Sequence, residues 1–355
     1  MRCAVTHITT VKTSHTIHEL TDADEILWDA FVAICPGATF FHRAGWRKVI
    51  QRSFGHRTHF LYAVRGCAIV GILPLVEIKS VLFGHAFIST GFCVHGGPIA
   101  IENGARDALN EYAEALFKKS GASYLEYRAP HKPNDTWQTR DDLYANFAGP
   151  LPAIEDANLK QIPRKQRAVV RKAMKSKLTW AIEDNVDNLY DLYALSVRNL
   201  GTPVFAKRYF ANLLAVFKPQ CDVLTVFSDG KPVASVLNFY HKGKVMPFYS
   251  GSVLSARRSG ANDLMYWRLM RHASAKGCTQ FDFGRSKVGT GAYYFKKNWG
   301  FKPEPIAHQF LMRDNAPLPN INPLNPKYRL MIAVWKKLPL FVANAIGPFV
   351  VRNIG

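Results

Sequence analysis

Hydrophobic positions along this chain follow two patterns, and the whole sequence of patterns occurs twice. Apolar residues recur at helical spacing over about 23–34 and 42–51, and again over about 186–199 and 206–217. Each helical pair is followed by apolar runs of strand character. These are Phe60 to Val64 and Ala68 to Glu77 in the first half, and Val223 to Phe227 and Val233 to Tyr240 in the second. The runs meet at Arg65-Gly66 and at Asp229-Gly230, and the latter is a strong hairpin signal because Asp and Gly tolerate the left-handed backbone of a tight turn. A longer helix (about 104–120; about 260–276) then ends at a glycine and feeds another strand. Lys119-Ser120-Gly121-Ala122-Ser123-Tyr124-Leu125-Glu126-Tyr127-Arg128 reads against Ala275-Lys276-Gly277-Cys278-Thr279-Gln280-Phe281-Asp282-Phe283, each with an acidic residue before an aromatic. The predicted order in each half is helix, helix, three strands, helix, strand.

That order, a meander followed by a helical crossover into a further strand, resembles the GNAT acyltransferase fold. Two copies in tandem resemble the FemAB family of peptidoglycan aminoacyltransferases. The resemblance implies an α/β (α+β) fold with two tandem GNAT-like domains, their mixed and mostly antiparallel sheets flanked by helices. Expected boundaries are residues 1–155, residues 156–320 with the candidate catalytic site, and a C-terminal helical tail over 321–355 packing on the first domain.

Composition narrows the class. A 48% hydrophobic fraction with 12% aromatics excludes a disordered chain, and no stretch reaches the run of about 18 apolar residues that a spanning helix needs. Cys3, Cys35, Cys67, Cys93, Cys221 and Cys278 stand singly, without metal-ligand spacing, so reduced thiols and no metal site are expected. The first residues, Met1-Arg2-Cys3-Ala4-Val5-Thr6-His7, lack the pattern of an export signal, and a cytoplasmic location is the expectation. The tail from Asn322 is apolar but interrupted by Lys336, Lys337, Pro339 and Pro348; besides packing on the protein, it could touch the inner face of a membrane with Trp335 at headgroup level.

Charge changes the picture more. Lys and Arg number 46 against 26 Asp and Glu, a net +20, which draws the chain toward an anionic partner: nucleic acid such as tRNA, a phosphorylated carrier or an acidic lipid surface. Eight cations and no acid lie between 160 and 178. Pro163 opens a helix there in which Arg167, Arg171 and Lys175 share one face, while Val170, Met174 and Leu178 form an apolar stripe. The first three are the candidate polyanion-binding residues.

The richest candidate chemistry follows the last strand of the second half. Phe281-Asp282-Phe283-Gly284-Arg285-Ser286-Lys287 leads into Gly289-Thr290-Gly291-Ala292-Tyr293-Tyr294-Phe295-Lys296-Lys297-Asn298-Trp299-Gly300-Phe301. Glycines let backbone approach a ligand, and Arg and Lys hold carboxylate or phosphate. Together with Asn262-Asp263-Leu264-Met265-Tyr266-Trp267 and Gly201-Thr202-Pro203-Val204-Phe205, these stretches look like the FemAB-related branch associated with PEP-CTERM/exosortase exopolysaccharide systems. The resemblance implies acyl or aminoacyl transfer to an amine of an anionic saccharide or lipid-linked cell-envelope precursor. It places Lys296, in Phe295-Lys296, as the cation that stabilises the transition state, charged at neutral pH because lysine ordinarily titrates near 10.4.

The surrounding residues take lesser roles. Arg285 is the expected catalytic or substrate clamp, since its fork holds two oxygens, whereas Lys287 offers a point charge for substrate binding. Asp282 has two open roles, local pairing or contact with the incoming amine. Tyr249 can donate a hydrogen bond at the cleft or serve as a packed tyrosine, and Asn262 and Asn298 complete the substrate-binding set. Arg257-Arg258-Ser259-Gly260-Ala261-Asn262 keeps only part of the GNAT pyrophosphate loop, with Asn262 where a small residue belongs. No tightly bound cofactor is expected, and the acyl donor is aminoacyl-tRNA or acyl-CoA. Cys93 with His95 reads as a packed thiol and a hydrogen-bonded imidazole, His42 is given no role, and Gly96-Gly97-Pro98 reads as a sharp loop beside the interdomain cleft.

Overall fold

The computed structural model describes residues 15–81, 83–129, 136–319 and 329–354. The predicted order of elements is present in both halves. In the first, helices Glu25–Ile34 and Gly45–Phe54 precede strands Arg57–Arg65, Ala68–Ser80 and Gly84–Ser89, and helix Asn103–Lys119 leads to strand Tyr124–Ala129. In the second, helices Asp187–Leu200 and Lys207–Phe217 precede strands Cys221–Ser228, Lys231–His241 and Lys244–Ser252, and helix Ala261–Ala275 leads to strand Gln280–Asp282. Asp229 and Gly230 take φ of 51° and 74°, as the hairpin requires. The helix stops differ: Gly277 is left-handed at φ 83°, whereas the first long helix is capped by Ser120 in extended backbone.

Each half also opens with a short strand that the sequence pattern does not announce, Thr16–Glu19 and Thr179–Glu183. With these, the strand order runs identically through the two sheets. It is antiparallel until the final step, where Gly84–Ser89 pairs parallel to Tyr124–Ala129 and Lys244–Ser252 pairs parallel to Gln280–Asp282.

The next strand in each sheet comes from the other half. Ala307–Met312 lies antiparallel to Tyr124–Ala129 with Phe310 opposite Glu126, and Ala148–Pro150 lies antiparallel to Gln280–Asp282 with Ala148 opposite Asp282. A boundary at 155/156 therefore does not follow sheet membership, because each sheet is completed by a strand from across that boundary. A small third sheet of Ser286–Lys287, Tyr144–Asn146 and Glu304–Pro305 binds the exchanged segments together.

The core is shared as well. Phe40 is fully buried, and its ring lies 4.3 Å from that of Phe239 and 4.8 Å from that of Phe217, both in the second half. Helix Gly45–Phe54 packs on Lys207–Phe217, and Gly45 permits this approach: a Cβ there would sit 2.7 Å from the Phe217 ring. The tail departs from expectation. Helix Leu340–Val351 packs on Asp187–Leu200 in the second half, with Gly347 close enough to Val204 that a Cβ would stand 2.8 Å from its backbone nitrogen. Its end reaches the first half, where Arg352 donates to the Phe54 carbonyl at 2.8 Å and its own carbonyl contacts His56 Nε2 at 2.6 Å. Small residues at Ala343 and Gly347 make the second-half face the closer fit. Among the described residues no helix is long and apolar enough to cross a membrane, and Asn322 lies outside the described residues.

A shared core predicts shared unfolding. Phe40→Ala leaves a cavity costing about 3–5 kcal/mol and lowers Tm by about 5 °C. Calorimetry is expected to show one transition in both proteins; two transitions, only one of them displaced, would show that the halves unfold separately.

Candidate active site

The two parallel strand pairs differ in one respect that creates the site. In the first half, pairing runs from Ala86 with Tyr124 to Ser89 with Tyr127. Past that point, the gap is closed by the loop after Ser89, where Gly96 N–H donates to the Arg128 carbonyl at 2.6 Å and Arg128 Nη1 donates to the Cys93 carbonyl at 3.1 Å. In the second half, pairing stops after Lys244 with Gln280 and Val245 with Phe281. The strands then part. Residues 247–252 on one side and 283–286 on the other line a cleft of about 1290 Å³ that continues to Glu126, Arg128 and Tyr144 of the first half. A β-bulge marks its wall: register passes from Leu237 with Tyr249 to Asn238 with Pro247, leaving Phe248 as the extra, unpaired residue.

Lys296 and Arg285 meet in this cleft. Thr290 accepts from Tyr293 N–H to start helix Gly291–Asn298, and that helix carries Lys296 back over the turn at Gly284, which is left-handed at φ 70°. Lys296 Nζ donates to the carbonyls of Gly284 at 2.9 Å and Arg285 at 3.1 Å, and lies 5.6 Å from the Phe147 ring centre. An ammonium has three N–H groups, so one remains for the cleft. Its protonation differs from the expectation of an untuned lysine. Burial, helped by the neighbouring Arg285 cation and opposed by Asp282, pulls the Lys296 pKa down to about 7.

Arg285 is half-buried, with its guanidinium 4.6 Å from the centre of the Tyr144 ring. Among the described residues no carboxylate lies within ion-pair distance of it. Burial, and then the nearby Arg128, pull its pKa down. An unpaired, desolvated cation in a cleft is poised for an anionic ligand.

The first half supplies a polar wall that the sequence pattern did not single out. Glu126 and Arg128 are buried and paired at 2.8 Å, and His308, on the exchanged strand Ala307–Met312, places Nδ1 2.9 Å from Glu126 Oε1. The His308 ring stacks at 5.5 Å on Tyr144, the same ring that carries Arg285. The repeat itself pointed here, since Glu126 is the counterpart of Asp282, but nothing in the sequence tied His308 to that strand.

Other expected residues divide. Asn262 and Asn298 line the cleft, as does Tyr249, whose hydroxyl is hydrogen-bonded to that of Tyr209 at 3.0 Å. Asp282 does not line it: its carboxylate accepts from Asn146 Nδ2 at 3.1 Å and from Gly284 N–H at 2.8 Å, a local loop-capping role. Lys287 also lies outside the lining; its carbonyl accepts from Thr290 Oγ1 at 2.8 Å and so helps build the helix start. The Cys93 thiol is buried and its pKa raised, and burial pulls His95 down to about 3, so the two do not make a nucleophile and base. His42 is fully buried, with Nδ1 2.9 Å from Thr39 Oγ1.

At the start of helix Ala261–Ala275, where a GNAT pyrophosphate would sit, Asp263 occupies the first turn and accepts from Gln166 Nε2. Helix Arg164–Met174 buries Val170 and Ala173, while Arg167, Arg171 and Lys175 line a solvent-facing concavity of about 640 Å³ with no ion pair to an acid among the described residues. No group of three or more His, Cys, Asp or Glu is placed to hold a metal among the described residues.

Comparison with known proteins agrees with this geometry. Residues 158–297 match the family described as Acetyltransferase (GNAT) domain. No curated protein sequence matches the chain. Among solved structures, the chain is similar to FemX at 15% identity and a TM-score of 0.67, covering 89% of this chain and 100% of FemX. It is similar to a tandem GNAT protein from the clavulanic acid biosynthesis pathway at 12% identity and 0.55, covering 86% of this chain and 100% of that one. It is also similar to the C-terminal domain of a candidate lysylphosphatidylglycerol synthetase from Agrobacterium fabrum at 15% identity and 0.52, covering 75% and 87%. The matched segment contains the open strand pair, Arg285 and Lys296, and the tandem GNAT fold runs through both halves: the chain is an acyltransferase whose second half is a GNAT domain.

Proposed function

We propose that the chain transfers an acyl or aminoacyl group to an amine on an anionic cell-envelope or exopolysaccharide precursor by direct attack, without a covalent enzyme intermediate, as a Fem-like enzyme of the PEP-CTERM-associated branch. The observation that carries this reading is that Arg285, a cation without a carboxylate partner among the described residues, and Lys296 stand side by side in the cleft beside one open strand pair. Arg285 holds the anionic group of the acceptor. Lys296 aims its remaining N–H at the acyl carbonyl, where negative charge grows as the amine attacks.

The donor proposed is aminoacyl-tRNA. Asp263 at the helix start disfavours a coenzyme A pyrophosphate, and the unpaired cations of Arg164–Met174 form a surface suited to a phosphate backbone. Incubating the protein with candidate amine acceptors and either aminoacyl-tRNA or acyl-CoA, and reading the acceptor's mass, separates the donors. Turnover with acyl-CoA alone would replace the tRNA reading; turnover with neither, alongside retained polyanion binding, would replace the enzyme with a binding protein.

Replacing Arg167, Arg171 and Lys175 together by Gln is expected to weaken tRNA binding and to flatten its dependence on salt, by about one unit of slope for every phosphate that the helix no longer neutralises. Unchanged binding across a salt series would reduce the helix to a solvated face.

Lys296→Met keeps most of the stem's bulk and removes the charge, so kcat is expected to fall on the order of 10²-fold with Tm nearly unchanged. The pH dependence has a definite sign. With a pKa of about 7, the ammonium is present below that pH and lost above it, so kcat of the wild type declines as pH rises through about 7. A kcat that instead climbs through that range, or that survives the substitution, would exclude the ammonium role.

A further inference from the structure

Direct attack requires an amine without its extra proton, and most amines arrive as ammonium ions. Neither Arg285 nor a charged Lys296 can accept that proton. His308 can. Glu126 and Arg128 are paired at 2.8 Å, so Glu126 is held ionised, well below the usual carboxylate range. A carboxylate cannot donate, so the 2.9 Å contact with His308 must be Nδ1–H donating to Glu126. That fixes the tautomer and leaves Nε2 with its lone pair. Nε2 is buried and has no hydrogen-bond partner among the described residues, and His308 lines the cleft beside Tyr144 and Arg285. A neutral Nε2 suits an N–H group and repels an anion, whereas the neighbouring Arg285 suits the anion.

We propose that Glu126 and His308 form an acid–imidazole pair that takes the proton from the acceptor's amine, with His308 as the base and Glu126 as its positioning residue; this rests on the acyl-transfer reading above. One ammonium proton passes to His308 Nε2, and the freed nitrogen pair bonds to the acyl carbon. As the adduct collapses, the carbon–oxygen bond of an ester donor, or the carbon–sulfur bond of a thioester, breaks. The leaving atom takes a second proton from the adduct nitrogen, and the imidazolium returns its proton to solvent. Among the described residues, the charged and titratable groups around the ring are Glu126 and Arg128 on Tyr124–Ala129, Arg140 opposite it in the sheet, Tyr144 stacked on it, Arg285 beyond Tyr144, and the buried, neutral His95. Burial lowers the imidazole pKa and outweighs the opposing pull of Glu126, so the ring is neutral and ready to accept at pH 7.

The test uses the full chain and glucosamine 6-phosphate as an amine-bearing anionic probe. Nitrogen-15 NMR of the wild type is expected to show His308 protonated on Nδ1 and bare on Nε2 at pH 7, with the Nε2 signal moving when the probe is added. In turnover, kcat is expected to fall as pH drops below the ordinary imidazole value of about 6.5. His308→Gln is expected to lose that acid limb and on the order of 10²-fold in kcat. Glu126→Gln, which keeps the shape but releases the tautomer, moves the limb without abolishing it. A proton on Nε2 at pH 7, or an Nε2 signal indifferent to the probe, overturns the proposal whatever the variants do. So does a His308→Gln protein with kcat within about threefold of wild type and the same acid limb. A wild type that moves acyl groups from no donor, yet shows the expected tautomer and probe shift, removes the acyl-transfer reading and leaves the amine site standing.

Discussion

The exchange of one strand between the two sheets is the constraint on which the rest of the molecule depends. Each sheet contains a strand from the other half, so neither is complete without the whole chain. The consequence is positional. Tyr144 and Asn146 precede the strand entering the second sheet, and His308 lies on the strand entering the first; both segments run along the cleft. Two residues ahead of each crossing partner of an acidic residue stands its hydrogen-bond donor, Asn146 for Asp282 and His308 for Glu126. The exchange thus sets the polar wall of the site and, with the shared aromatic cluster around Phe40, fixes the distance between the halves.

The two halves share a strand order and differ at the joint that matters for the cleft. Both have a parallel strand pair that could part to admit an acyl group. In the first half, Arg128 stands where the second has Gly284, and its guanidinium ties the following loop to the strand through the Cys93 carbonyl. A glycine has no such arm, and at φ 70° Gly284 also turns the chain so that its carbonyl and the next meet Lys296. Filling the gap in the first half makes that half a wall of the cleft that opens in the second. This is why the two halves can share a topology and yet carry different chemistry.

Long, strongly periodic elements were legible in the sequence, together with their order and the doubling, because burial of one face imposes a period that survives in a single chain. Arg285 and Lys296 were legible from their residue types and the glycines around them. The strands of four to six residues at Thr16–Glu19 and Ala307–Met312 were not, since too few alternations fit within them to rise above chance. Losing Ala307–Met312 hid the exchange, and with it His308. The tuned pKa of Lys296 was hidden for a different reason: it comes from desolvation, which is a property of the closed cleft and not of the Phe295-Lys296 pair. Lys287 and Asp282 looked like site residues because they adjoin Arg285, yet backbone geometry directs them to building the loop.

The cleft concentrates positive charge where folding alone would not keep it. Arg128 has Glu126 beside it and is neutralised, and its nearness still depresses Arg285. Arg285 depresses Lys296 in turn. Three cations in sequence, with Glu126 beside Arg128 and Asp282 near Lys296 but no carboxylate at Arg285 among the described residues, repel one another in part. An anion bound at Arg285 would relieve that repulsion and raise the Lys296 pKa, so that the lysine charges more fully when the acceptor is in place. On the proposed function, acceptor binding and the supply of the stabilising ammonium are coupled by the same electrostatic chain.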